Sequence, residues 1–333
     1  MGWNWLASVR LYLPSLPSGK EYDPFSVGKV NLAGEYVRRG DALLGEGHHD
    51  DAIAAYSEAI QFHDCNLAIK HKPALARVLA LALNNRSCAF LEKAEYDFTI
   101  QDCNLAIKYK PDFALAFCNR GTGHLGKGDR GQAIRDYDQA ISLKADFALA
   151  FNNRGVAFLL KRDLERAVQD YDRAVELQPD LAMAFRNRGI AAFCDRRFAQ
   201  ARKDCAEAVR INPKDCDNAI WLYLATARDG QPDKTQLEGQ RITLDLAKWP
   251  GPAVEFLLGS LTREALLATN HDENLYKERE QSCAAHFFIG QWELLNGRLL
   301  AAASSFREVI ASGGMNCLEY LAAEVELQCL NAE

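Results

Sequence analysis

Apolar residues fall along this chain in two kinds of helical stripe that alternate and then repeat every 34 residues. Within residues 148–181, Ala150, Phe151, Ala157 and Phe158 make one stripe at helical spacing. A second stripe runs through Leu164, Ala167, Val168, Tyr171, Ala174 and Val175, and Pro179 stops it. Displaced by 34 residues, Gly155 becomes Gly121 or Gly189, Ala167 becomes Ala133 or Ala201, and Ala174 becomes Ala140 or Ala208. Tyr171 likewise becomes Tyr137. Two short helices that face each other through Gly and Ala can bring their axes close, which predicts a tight antiparallel hairpin. One such hairpin cannot bury its own stripe, whereas a stack can, so the pattern predicts an all-α solenoid.

The first hairpin begins near Ala33, with Gly40, Ala52, Tyr56 and Ala59 in phase. The period then breaks. Thirteen extra residues precede the next start at Ala80, and DCNLAIKHKP (64–73) nearly copies DCNLAIKYKP (102–111). This reads as a partial duplication that lengthens the second helix or adds a kinked turn before Pro73. Phase resumes at Ala80, Ala114, Ala148 and Ala182; Pro111, Pro179 and Pro213 close three of these units, and Ala145 stands where the fourth would have its proline. Beyond Pro213 a helix is predicted over 218–228, then a polar connector over 229–234, a helix over 235–246 and the apolar stretch 248–268. Gly290, Gly297, Ala302 and Phe306 return to repeat-like offsets, and a last helix over 317–330 is expected to cap the open end of the core. The division expected is an arm (1–32), an array of about five repeats (33–229, irregular at 60–79), a helical connector (230–270), and a repeat-like hairpin with a capping helix (271–333).

The period, the small residues and the closing proline resemble the tetratricopeptide repeat (TPR). That resemblance implies a right-handed superhelix of helix-turn-helix units whose first helices line the concave side, with a C-terminal helical cap. The stretches WLYLA (221–225), WPGPAVEFLLG (249–259) and FFIGQWELLNGRLLAAASSFREVIASG (287–313) are similar to the tail of bacterial NlpI-type lipoproteins. The likeness spans 33–330 and implies an adaptor that recruits peptidoglycan hydrolases and a processing protease. The chain departs from that group in lacking a lipobox cysteine, and residues 1–13 lack the basic start, apolar run and cleavage site of a signal peptide. The address expected from the sequence as given is therefore cytoplasmic; a start lying upstream would make it the bacterial envelope.

Composition narrows the partners. A formal charge of −6 over 333 residues does not supply the basic stripe that nucleic-acid binding requires. No apolar run is long enough to span a membrane; the best, 75–83, is short and contains Arg77. The ten cysteines show neither CxxC nor finger spacing, and Cys103 and Cys205 stand where the repeat has its second-helix tyrosine, which suits reduced, buried thiols.

No pattern of catalytic residues emerges. GTGHLGKG (121–128) approaches a phosphate-binding loop, but Gly128 replaces the Ser or Thr that holds magnesium, and a helical stripe replaces the preceding strand. His48, His49, His63 and His71 with Cys65 lack the spacing of a metal site. HExxH, GxSxG and paired catalytic carboxylates are missing, so neither an enzyme nor a cofactor is expected.

The informative polar residues are those the repeat carries. Arg86, Arg120, Arg154 and Arg188 lie 34 apart, as do Asp102, Asp136, Asp170 and Asp204, each Asp 16 residues beyond its Arg on the partner helix. Scaffold ion pairs Arg120–Asp136, Arg154–Asp170 and Arg188–Asp204 are expected. Asn85, Asn119, Asn153 and Asn187 recur one residue before each Arg. A ladder of carboxamides can clamp the amides of an extended peptide, with Leu115, Leu149 and Met183 as an apolar floor. The alternative is that the same asparagines bridge helices within the scaffold. Because those three floor positions are apolar, no clamp for a C-terminal carboxylate is expected. The reading is a non-catalytic scaffold for proteins or peptides, with avidity from several repeats or a homodimer; a cytoplasmic co-chaperone or assembly scaffold is the alternative to the NlpI-like adaptor.

Overall fold

The computed structural model describes residues 24–61, 73–231, 234–269, 272, 274–314 and 316–331. His63, Cys65, His71 and most of the duplicated segment lie outside these, as do residues 1–23 of the arm. The described residues are helical, joined by turns, with no strand among them. Five hairpins come first: α1 (Pro24–Gly45) with α2 (His49–Gln61), α3 (Pro73–Glu92) with α4 (Tyr96–Tyr109), α5 (Ala114–Gly126) with α6 (Arg130–Leu143), α7 (Ala148–Leu160) with α8 (Leu164–Leu177), and α9 (Ala182–Cys194) with α10 (Phe198–Ile211). A single helix, α11 (Cys216–Arg228), leads to three short ones, α12 (Thr235–Gln240), α13 (Gly251–Leu258) and α14 (Arg263–Ala268). The hairpin α15 (Leu275–Leu295) with α16 (Leu299–Ala311) follows, and α17 (Leu318–Leu330) is the last element. Contacts divide the chain into two compact units, Met1–Ala145 and Asp146–Glu333.

Five of the six hairpins among the described residues are closed by the same contact, Ser87 standing in place of the glycine in α3–α4. A Cβ placed on Gly155 would stand 2.7 Å from the Tyr171 ring and 3.2 Å from the carbonyl of Ala167, so only glycine admits the second helix this closely. Gly40 meets Tyr56, Gly121 meets Tyr137 and Gly290 meets Phe306 in the same way, and at Gly189 the thiol of Cys205 takes the place of the ring. The aromatic partners Tyr56, Tyr137, Tyr171 and Phe306 are fully buried. Asp129, Asp163 and Asp215 begin α6, α8 and α11 by accepting a hydrogen bond from the backbone N–H three residues on.

The core of the first unit runs from Ala33, Val37 and Tyr56 through Leu79 and Leu83 to Tyr109 and Phe113. That of the second unit is aromatic: Trp221 lies between Phe193 at 5.4 Å and Phe287 at 5.5 Å, and Phe287 touches Phe306 at 6.0 Å.

Three elements differ from the sequence expectation. The helix begun at Pro24 takes in the end of the arm, so α1 starts ahead of Ala33. The helix expected over 235–246 stops at Gln240, where the Thr243 hydroxyl folds back to donate to the Gln240 carbonyl at 2.8 Å. The last helix does more than cap an end: α17 packs on α15 and α16 and also reaches back to α9. No helix among the described residues is long and apolar enough to cross a membrane.

Candidate peptide-binding face

The arginines of the first helices each grip a carboxylate of the second helix with two parallel hydrogen bonds. Nε and Nη2 of Arg86 lie 2.7 and 2.7 Å from Asp102, and those of Arg120 lie 2.9 and 2.6 Å from Asp136. The distances are 2.8 and 2.7 Å for Arg154 with Asp170, and 3.0 and 2.7 Å for Arg188 with Asp204. All four aspartates are buried. The planar guanidinium suits such a fork, which fixes orientation as well as charge. Burial pushes the Asp102 carboxyl above the ordinary range, and Arg86 pulls against that shift.

The third donor of the fork reaches the preceding hairpin. Arg86 Nη1 donates to Ser57 Oγ at 2.8 Å, Arg120 Nη1 to Asn104 Oδ1 at 2.8 Å, and Arg188 Nη1 to Asp172 Oδ1 at 2.8 Å. One side chain thereby sets both the spacing within a hairpin and the spacing between neighbours.

The asparagine ladder lies beneath the surface. Asn85, Asn119, Asn153 and Asn187 are 0–3 % exposed. Asn119 donates to Asn84 Oδ1 at 3.1 Å, and Asn187 to Asn152 Oδ1 at 3.0 Å. Asn85 donates to Asp41 at 2.8 Å, while Asn84 and Asn152 donate to the carboxamide oxygens of Asn85 and Asn153. The amides thus run from one first helix to the next, the arrangement expected when a buried polar group must find a partner. Of the proposed apolar floor, Leu115 is half-buried, whereas Leu149 and Met183 are 7 and 6 % exposed. The Asn152 amide points at the Met183 sulfur, 3.6 Å away.

In the second unit α17 packs against the first helices α9 and α15. Glu326 pairs with Arg228, accepts from Gln291 at 3.0 Å, and lies 3.8 Å from Arg196, while Glu324 pairs with Arg162. At the other end of α17, Glu319 joins Asp215 and Asp217 around the buried Arg186, whose Nη1 also donates to Asn218 Oδ1 at 3.0 Å. Burial alone would lower the Arg186 pKa, but the surrounding carboxylates outweigh it and raise it. Burial pushes Glu319 up to about 8 and Asp217 and Glu280 to about 7. Asp217 Oδ1 has no hydrogen-bond partner among the described residues.

Sequence reasoning missed this cluster. Its one signal was Arg186 itself, which stands where the preceding repeats carry Asn84, Cys118 and Asn152.

Among the described residues no group of three or more His, Cys, Asp and Glu has the arrangement of a metal site. A shallow cleft of about 240 Å³ beside Asp172, Arg188 and Asp204 is lined by charges that already pair with one another. GTGHLGKG forms the end of α5 and its turn, with Gly121 and Gly126 against the rings of Tyr137 and Tyr96.

The tetratricopeptide repeat family matches this chain over residues 118–182 and 161–215. No curated protein matches it. A tetratricopeptide repeat protein from Parabacteroides merdae ATCC 43184 is similar in structure at 12% identity and a TM-score of 0.50, covering 88% of this chain and 99% of its own. Pseudomonas aeruginosa PilF is similar at 13% identity and a TM-score of 0.51, covering 65% of this chain and 91% of its own. YrrB, a TPR protein with an unusual peptide-binding site, aligns at 18% identity and a TM-score of 0.40, over 59% of this chain and 96% of its own. At these identities the first two establish the fold: stacked helix pairs of the tetratricopeptide type, an architecture that generally serves as a protein-interaction scaffold.

Proposed function

We propose that this chain is a non-catalytic scaffold whose first-helix face binds peptide segments of partner proteins. The carrying observation is that the Arg–Asp forks and the buried asparagine rows hold successive first helices at fixed spacing. A face so fixed is ordered before a ligand arrives, which lowers the entropy lost on binding. In this reading the asparagines serve as struts below the ligand. Contact falls to the half-buried stripe Leu81, Cys88 and Leu91 on α3 and to Leu115 on α5. These occur at helical spacing and offer apolar surface with Glu92 at the rim.

The narrower role, bringing peptidoglycan hydrolases and a protease together, is supported by the stretches 221–225, 249–259 and 287–313. Those stretches build α11, α13 and the α15–α16 hairpin of the second unit. The test is recovery of binding partners by the full chain. Leu81→Asp with Leu115→Asp is expected to abolish recovery at unchanged helicity, whereas Phe98→Asp, on the exposed side of α4, is expected to leave it intact. Equal recovery by all three proteins would refute the assignment of the face.

A further inference from the structure

Between the two helices of a hairpin the chain passes through one residue with positive φ. At Gly128 this angle is 85°; 34 residues before it Ala94 adopts 54°, and 34 and 68 residues after it Arg162 and Arg196 adopt 63° and 58°. A residue with a Cβ is strained in this region by about 1 kcal/mol or more; Ala94 adopts it too, so the angle belongs to the turn, and the two arginines matter here for what their side chains meet. What these two arginines reach is α17: Arg162 pairs with Glu324, while Arg196 lies 3.8 Å from Glu326 and donates to Cys329 Sγ at 3.2 Å.

The seat of α17 is a strip of α9, with Arg186, Ile190 and Phe193 buried, and α17 brings Leu318, Leu321 and Ala322 to the interior. It also brings acidic side chains inside, Glu319 and Glu326, of which Glu326 is ion-paired to Arg228 and Arg196. Apolar residues in their place would hold a permanent core helix at least as firmly, because desolvating an ion pair offsets most of its attraction; what the pairs add is register and choice of partner. Gly313 and Gly314 lie in the turn that ends α16, ahead of α17.

We propose that α17 is an exchangeable plug: the first-helix face of the second unit is a receptor for an acidic amphipathic helix of a partner protein, and α17 is its resident occupant. The partner presents an apolar stripe and carboxylates with the spacing of Glu324 and Glu326, answered by Arg162, and by Arg196 with Arg228. This deepens, and rests on, the reading of the first-helix face as a peptide-binding surface.

The test uses the full chain and a fluorescent synthetic peptide of residues 316–331 as the probe. Glu324→Arg sets like charges against each other at Arg162 and weakens the resident helix while the receptor stays intact. Amide exchange in α17 is expected to quicken at least ~10-fold with α16 unchanged, and the peptide is expected to bind the variant about 10-fold tighter than wild type. Arg162→Gly relieves the strained turn and removes the same pair; it is expected to quicken exchange in α17 while the α7–α8 hairpin stays as protected as before. Unaltered exchange of α17 in both variants overturns the plug and leaves the face of the first unit to stand on its own test. Quickened exchange without peptide binding overturns the plug and the peptide-binding reading of this unit together. Dimers of Glu324→Arg in light scattering, with α17 again protected, would give the seat to a second copy and overturn the assignment to a partner.

Discussion

Replacing Glu319 by Gln tests whether a buried acid makes the second unit pH-sensitive. Glu319 is 2 % exposed, and burial raises its pKa from 4.5 to about 8. Arg186 faces it from α9, Asp217 from α11, and Glu280 from α15. Because the folded-state pKa is raised, the native form holds the proton that the unfolded chain releases above pH 4.5. Stability is then highest in mild acid, falls as pH rises, and levels off once pH passes the folded value of about 8. At about 1.4 kcal/mol per pH unit the loss between pH 5.5 and 8.5 is roughly 3 kcal/mol from this residue alone. Glutamine keeps the shape and cannot ionise, so the variant should match wild type near pH 5.5 and exceed it by roughly that amount at pH 8.5. Part of the slope remains in the variant, since Asp217 and Glu280 are raised to about 7. Urea unfolding followed by fluorescence reports on this unit through Trp221, which lies fully buried between Phe193 and Phe287. Wild-type and variant stabilities that fall in parallel across this range would refute the argument.

Asp170→Ala removes the forked carboxylate from the Arg154 guanidinium, whose side chain is 20 % exposed; partial access to water reduces the expected loss to about 2–3 kcal/mol in denaturant unfolding. A loss under about 0.5 kcal/mol would show that the fork is incidental to the fold. Gly155→Ala drives a Cβ to 2.7 Å from the Tyr171 ring; overpacking of ~1–3 kcal/mol against a helix-propensity gain of ~1 gives a net loss, read as a lower thermal midpoint. A midpoint at or above wild type would show that the helices part freely. Among the described cysteines, Cys194 and Cys205 are pushed up to about 12 by burial, so native protein at pH 8 should be modified at half-exposed Cys329 well before Cys205 or Cys283. Mass-spectrometric mapping of the labelled thiols checks the order, and early loss of Cys205 would contradict it.

The hairpins were legible in the sequence because each is a local solution: Gly155, Ala167 and Tyr171 must meet whenever two helices of this length fold back. The Arg and Asp positions could be read because their 34-residue register puts both on facing helices. The fate of the asparagines was harder to read. Whether Asn153 faces a ligand or a neighbouring amide depends on a rotation of the first helix smaller than one residue, and Asn84 and Asn152, which complete the buried rows, have no counterpart at Cys118. The return of α17 to α9 was invisible for another reason. Glu324 and Arg162 are 162 residues apart, and no period connects them.

The forked arginines also give the stack a direction. The guanidinium of Arg188 keeps two bonds inside its own hairpin and sends one back to Asp172, while Asp172, half solvated, can exchange Arg188 for water. Loss of a hairpin therefore strips a bond from the one that follows and takes little from the one before. Damage in this scaffold should travel forward along the chain, like a row of coats each buttoned to the back of the last.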